Sequence, residues 1–132
     1  MLADIKIKNI LFLDIETIPV KESFEDLDLT FQKLWQEKTT WQRKDEFTAS
    51  EFYEMKAGVM AEFAKIICIS VGCLFTEKGE NHFRIKSFYS DNETLIISEF
   101  NDLLNSEFNK NQHLLCAHNG KEFDFPFIAR RT

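Results

Sequence analysis

Apolar and polar positions recur along this chain with changing periods, and the periods mark its elements. Asn9 to Ile15 (NILFLDI) is a short run with apolar residues on successive positions. It reads as a buried strand, apolar on both faces and closed by Thr17-Ile18-Pro19, because Pro19 cannot donate to a ladder. Over residues 23–38, Phe24, Leu27, Phe31, Leu34 and Trp35 recur at spacings of three and four and predict an amphipathic helix. Thr48 and Glu51 have capping-box spacing and open a second short helix through about Lys56. Lys65 to Phe75 (KIICISVGCLF) is apolar in both alternating sets, as a central strand would be. A loop over 76–81 leads to Phe83–Tyr89, which completes a hairpin. Ser90 and Glu93 repeat the capping-box spacing before a helix of about 92–108, with Ile97, Phe100, Leu104 and Phe108 on one face. Leu114 to Ala117 reads as a short buried strand, His118-Asn119-Gly120 as a turn, and Phe123 to Arg131 as the start of a further helix.

This order predicts one α/β domain over residues 1–132, built on a mixed sheet with flanking helices and carrying a helical insertion at about 20–64. Trp35 and Trp41 are expected to pack that insertion onto the sheet. The chain stops inside an apparent helix, without a Gly cap or a breaker, so the domain is expected to be C-terminally incomplete. Its 132 residues allow one ordinary domain, and 14 Phe supply a large apolar payload for its core. Lys and Arg number 16 against 22 Asp and Glu, a formal charge of −6. That balance excludes a simple basic nucleic-acid clamp, but not an enzyme that brings positive charge as metal ions. Cys68, Cys73 and Cys116 sit in apolar runs and are expected to be buried free thiols of a reducing compartment. No signal peptide or membrane span is read from the sequence, so a cytoplasmic location is expected.

The chemistry concentrates in acids. Asp14 and Glu16 are two apart on a strand, so their side chains leave the same face. Unpaired acids at the end of an apolar run raise each other's pKa, and a divalent cation removes that cost. Hard oxygen ligands suit Mg²⁺ or Mn²⁺. Asp124 follows another short strand, in the first turn of the next helix. If the two strands are adjacent and parallel, Asp124 faces Asp14 at their C-terminal ends, where open α/β sheets place their sites. Each acid also has a plain structural reading, as a solvated strand end or a helix-start residue favoured by the dipole.

Leu13-Asp14-Ile15-Glu16-Thr17 resembles the first motif of the DEDD 3′–5′ exonucleases. His118-Asn119-Gly120-Lys121-Glu122-Phe123-Asp124-Phe125-Pro126 resembles their second motif, in the form found in proofreading domains of family B DNA polymerases. Ala61 to Gly72 is similar to a stretch of bacterial stand-alone exonucleases related to those domains. The resemblance implies a ribonuclease H-like fold and metal-assisted hydrolysis of phosphodiesters at DNA 3′ ends, with two cations about 3.5–4 Å apart. Asp14 would bridge both metals, Glu16 would hold the metal that activates water, and Asp124 would serve the second. Thr17, through its backbone, and Asn119 would position the terminal nucleotide. Phe123 either packs into the core or stacks on a base, and Ile18–Val20 either packs or wedges against terminal bases. The family's third motif should follow Asp124 by several tens of residues, and only eight follow it here. The fourth carboxylate is thus missing from this chain, which is expected to be weakly active or inactive by itself. His118 reads as a turn residue or as a partner of the ligands rather than a ligand itself, and Lys121, Arg130 and Arg131 as solvated helix charges, with contact to phosphate the alternative. Single-stranded DNA or a DNA 3′ end is the expected partner, with RNA not distinguished from it. The competing readings are a non-catalytic nucleic-acid-binding module of the same fold and a partner-binding structural domain.

Overall fold

Strand β1 (Ile10–Pro19) alternates as a half-covered strand does. Leu11, Leu13 and Ile15 are buried, while Asp14 and Glu16 on the opposite face are exposed. The expectation of a strand buried on both faces is corrected, because only one face of the sheet is covered along β1. The computed structural model describes residues 2–132. Three further strands complete a four-stranded mixed sheet of order β3-β2-β1-β4: β2 (Ala64–Glu77), β3 (Glu80–Tyr89) and β4 (Leu114–Cys116). Strands β2 and β3 are antiparallel, and β1 and β4 are parallel with Ile10 opposite Leu114 and Phe12 opposite Cys116. The α/β architecture, a mixed sheet with flanking helices, is compatible with a ribonuclease H-like fold.

The chain divides into two compact units, one of residues 1–16 and 66–132, the other of Thr17–Lys65. In the first, helix α3 (Glu93–Glu107) lies over the face of Leu11 and Val71, since these residues share one hollow with Leu103. Ile96, Ile97 and Phe100 of α3 are buried, as are Phe127 and Ile128 of helix α4 (Asp124–Arg131). The open face carries Phe12, Ser70, Gly72, Phe83 and Ile85 around a shallow groove of about 210 Å³ that reaches Asp14. The β2–β3 turn is tighter than the loop expected over 76–81. Glu77 pairs with Glu80, and Lys78 and Gly79 alone turn the chain at φ 50° and 80°. Two positive φ values are what a two-residue hairpin turn of the primed kind requires.

Strand β4 is the other departure. It has three residues rather than four, and all are exposed, with Leu114 and Leu115 each at 42%. It forms the edge of the sheet among the described residues, so its apolar composition does not report burial. The cysteines depart likewise: Cys68 and Cys73 are half-buried and Cys116 is exposed, all three free.

In the second unit, α1 spans Leu29–Arg43 instead of 23–38, preceded by a 3₁₀ turn at Phe24–Asp26. Asp28 sets the start by accepting from the Phe31 amide at 2.8 Å, and left-handed Lys44 (φ 50°) sets the end. Helix α2 (Ala49–Lys56) has the expected Thr48–Glu51 capping box, with both reciprocal bonds present. Trp35 is fully buried among Phe24, Leu27, Phe52, Tyr53 and Phe63, its indole N–H donating to the Ala49 carbonyl at 2.9 Å. The core of this unit is its own residues. Trp41 is 82% exposed, correcting its assignment as a packing residue. Among the described residues no helix is long and apolar enough to cross a membrane.

Candidate functional site

The parallel pairing of β1 with β4 decides where the acids sit. Strand β4 ends at Cys116, opposite Phe12, so Asp14 lies two residues beyond the last pair, at the C-terminal ends of the pair. The chain leaving β4 turns at once. Asn119 adopts φ 53°, and its carbonyl accepts from the amides of Glu122 at 3.1 Å and Phe123 at 3.0 Å. A Cβ on Gly120 would lie 2.6 Å from the Ala117 Cβ and 2.9 Å from the Phe125 ring, so no larger residue fits this turn as it stands. The turn delivers Asp124 as the first residue of α4.

Asp124 is 2% exposed, and its Oδ1 has no hydrogen-bond partner. Burial of a carboxylate carries a desolvation penalty that favours its neutral form. Burial accordingly raises the Asp124 pKa above the ordinary carboxylate range, and the negative charge of Asp14 raises it further. The amides of Asp124 itself and Ile15 oppose the shift, as does His118. Asp14 is exposed and Asp124 is buried, and the charge of the first acts on the second.

Glu16 is exposed on the same face of β1 as Asp14. Among the described residues, no group of three or more His, Cys, Asp or Glu side chains is gathered as around a metal ion, so Glu16 does not close a triad with the other two. Asn119 is exposed in the turn. Phe123 is half-buried, its ring 5.5 Å from that of buried Phe127, which is a packing contact. Thr17 belongs to the other unit, where its hydroxyl donates to the Gly58 carbonyl at 2.5 Å. His118 is exposed, and a proton on its imidazole would lower the Asp124 pKa.

Two residues have roles that the sequence reading missed. Glu93 does not close a capping box with Ser90: Asn92 caps α3 by accepting from the Thr94 amide at 3.0 Å. Glu93 instead accepts from the Ile66 amide at 2.6 Å and from Arg131, which was read as a solvated charge. No periodicity signals such a pair across 38 positions.

The donor set is oxygen only, of the kind a hard divalent cation takes, and Oδ1 of Asp124 is buried without a hydrogen-bond partner. A larger hollow of about 540 Å³, lined by Asp4, Lys6, Asn9 and Gln112, lies at the opposite, N-terminal end of the parallel pair. It brings together no comparable pair of acids. Compared with protein-family models, curated proteins and solved structures, the chain matches none of them.

Proposed function

We propose that this chain is a metal-dependent 3′–5′ exonuclease domain that hydrolyses phosphodiester bonds at DNA ends. The observation that carries the reading is the buried Asp124 carboxyl, unpartnered at Oδ1 and under the negative field of Asp14. The resemblance of residues 13–17 and 118–126 to two exonuclease motifs supports it. A site of this sort needs Mg²⁺ or Mn²⁺, which when bound would polarise a phosphodiester and lower the pKa of a water.

Asp14, Glu16 and Asp124 would hold the ions. Asp124 holds a proton more readily than an ordinary carboxyl does, and a cation would take the place of that proton. Asp14, exposed at the groove, is the carboxylate that incoming ions and substrate meet first. Glu16 would have to turn its solvent-exposed side chain toward the pair. Asn119 would position the terminal nucleotide. Phe123 would serve by packing against Phe127, which holds the first turn of α4. Cations of the site, rather than basic side chains, would offset the repulsion between a chain of charge −6 and a polyanion. Three free thiols, none fully buried, suit a reducing compartment, and we assign the protein to the cytoplasm.

Incubation with 3′-labelled single-stranded DNA and Mn²⁺ tests the reading. Slow release of 3′ nucleotides that stops in EDTA and is lost in Asp14→Ala is expected. Tight, metal-independent DNA binding without cleavage would replace the enzyme by a non-catalytic binding module.

A further inference from the structure

We infer that Glu93 and Arg131 are positioning residues that hold α4, and with it Asp124, against the sheet. The Arg131 guanidinium approaches the Glu93 carboxylate as a fork. Its Nε donates to Oε1 at 3.0 Å and to Oε2 at 3.1 Å, and its Nη2 donates to Oε1 at 2.6 Å. Glu93 Oε2 also accepts from the Ile66 amide at 2.6 Å, so one carboxylate joins β2, the start of α3 and the end of α4. Both side chains are largely covered, at 28% exposure for Arg131 and 15% for Glu93.

Helix α4 needs such a tie. Phe123 at its N-cap provides no side-chain cap, so the first turn is not held from that side. The turn before it depends on amide bonds such as Phe125 N–H to the Gly120 carbonyl at 2.8 Å. Asp124 opens the helix and Arg131 lies about two turns further along it, so the clamp fixes a second point on the lever that carries the acid. Bidentate geometry fixes direction as well as distance, which a single charge does not. Residues that orient metal ligands in this way typically alter metal affinity roughly 10- to 100-fold when removed.

The inference rests on the reading of Asp124 as a metal ligand, and its test separates the two. In metal-free protein, amide hydrogen exchange is compared between wild type and Arg131→Ala. Exchange at Phe125 and Phe127 should accelerate roughly tenfold or more, with little change at the paired amides around Ile69 and Phe88. Mn²⁺ affinity should fall roughly 10- to 100-fold. Arg131→Lys should recover part of both effects, and Glu93→Gln, which keeps an acceptor for the Ile66 amide, should fall between. These milder variants decide the matter if Arg131→Ala does not fold. Unchanged exchange in α4, or acceleration shared equally by the sheet, overturns the positioning role, and so does an unchanged Mn²⁺ affinity. A wild-type chain that fails to bind Mn²⁺ refutes the proposed function instead, and the exchange contrast then decides on the clamp alone.

Discussion

The buried carboxyl of Asp124 lies in the negative field of Asp14, and the two come from distant segments that the parallel pairing of β1 with β4 brings together. A fold that places a carboxylate at 2% exposure, with one oxygen unpartnered, accepts a cost in stability. Such costs concentrate at functional sites.

That cost has a pH dependence of definite sign. The Asp124 pKa is raised in the folded state, so the folded chain binds its proton more tightly than the unfolded chain does. The associated stability is fully present below the ordinary carboxylate pKa and is lost as pH rises through the raised one. Asp124→Asn should therefore make the metal-free protein more stable than wild type at pH 7, and change it little at pH 3. Urea melts in EDTA at the two pH values check this. A variant less stable than wild type at pH 7 would contradict it.

Gly120 is a test of the turn that presents Asp124. Gly120→Ala introduces a methyl 2.6 Å from the Ala117 Cβ. Overpacking of this kind costs roughly 1–3 kcal/mol. Thermal melts should show the loss, and metal affinity should fall with it, because the displaced turn carries the acid.

The two tryptophans of the helical unit separate burial from apolar character. Trp35 is fully buried with its N–H bonded, and Trp35→Ala should cost roughly 3–5 kcal/mol. Trp41 is exposed, and Trp41→Ala should stay within about 0.5 kcal/mol. Chemical denaturation of both variants makes the comparison.

What the sequence made legible follows from the range of the interactions concerned. The capping box at Thr48–Glu51 is local, and it formed where its spacing placed it. The strand pair β2–β3 was likewise legible, from the continuous apolar run at 65–75 and the polar loop after it, although the turn at Lys78-Gly79 is shorter than that polar run implied. Asp28 moved the start of α1 because a cap overrides an apolar period that runs on through Phe24 and Leu27. Long-range facts were less accessible. Ser90 and Glu93 have the spacing of a capping box, yet Glu93 is drawn to Arg131 and the Ile66 amide, partners that only the tertiary fold supplies. Leu114 and Leu115 look like core residues but lie on an edge strand. In the candidate site, the shared face of Asp14 and Glu16 was readable from a period of two, and the burial of Asp124 was not. A helix-start aspartate is usually solvated, and nothing local distinguishes one that is enclosed.

Metal binding by the acid pair tests the central claim most directly. Mn²⁺ titrated into the wild-type chain by calorimetry at pH 7.5, alongside thermal melts, should show binding and a rise in Tm. The stabilisation should approach about 2.7 kcal/mol at 100 times Kd. Asp14→Asn and Asp124→Asn should each abolish both signals, and Glu16→Gln should weaken them. A wild-type chain that neither binds Mn²⁺ nor gains stability from it, or variants that bind as well as the wild type, would contradict the account.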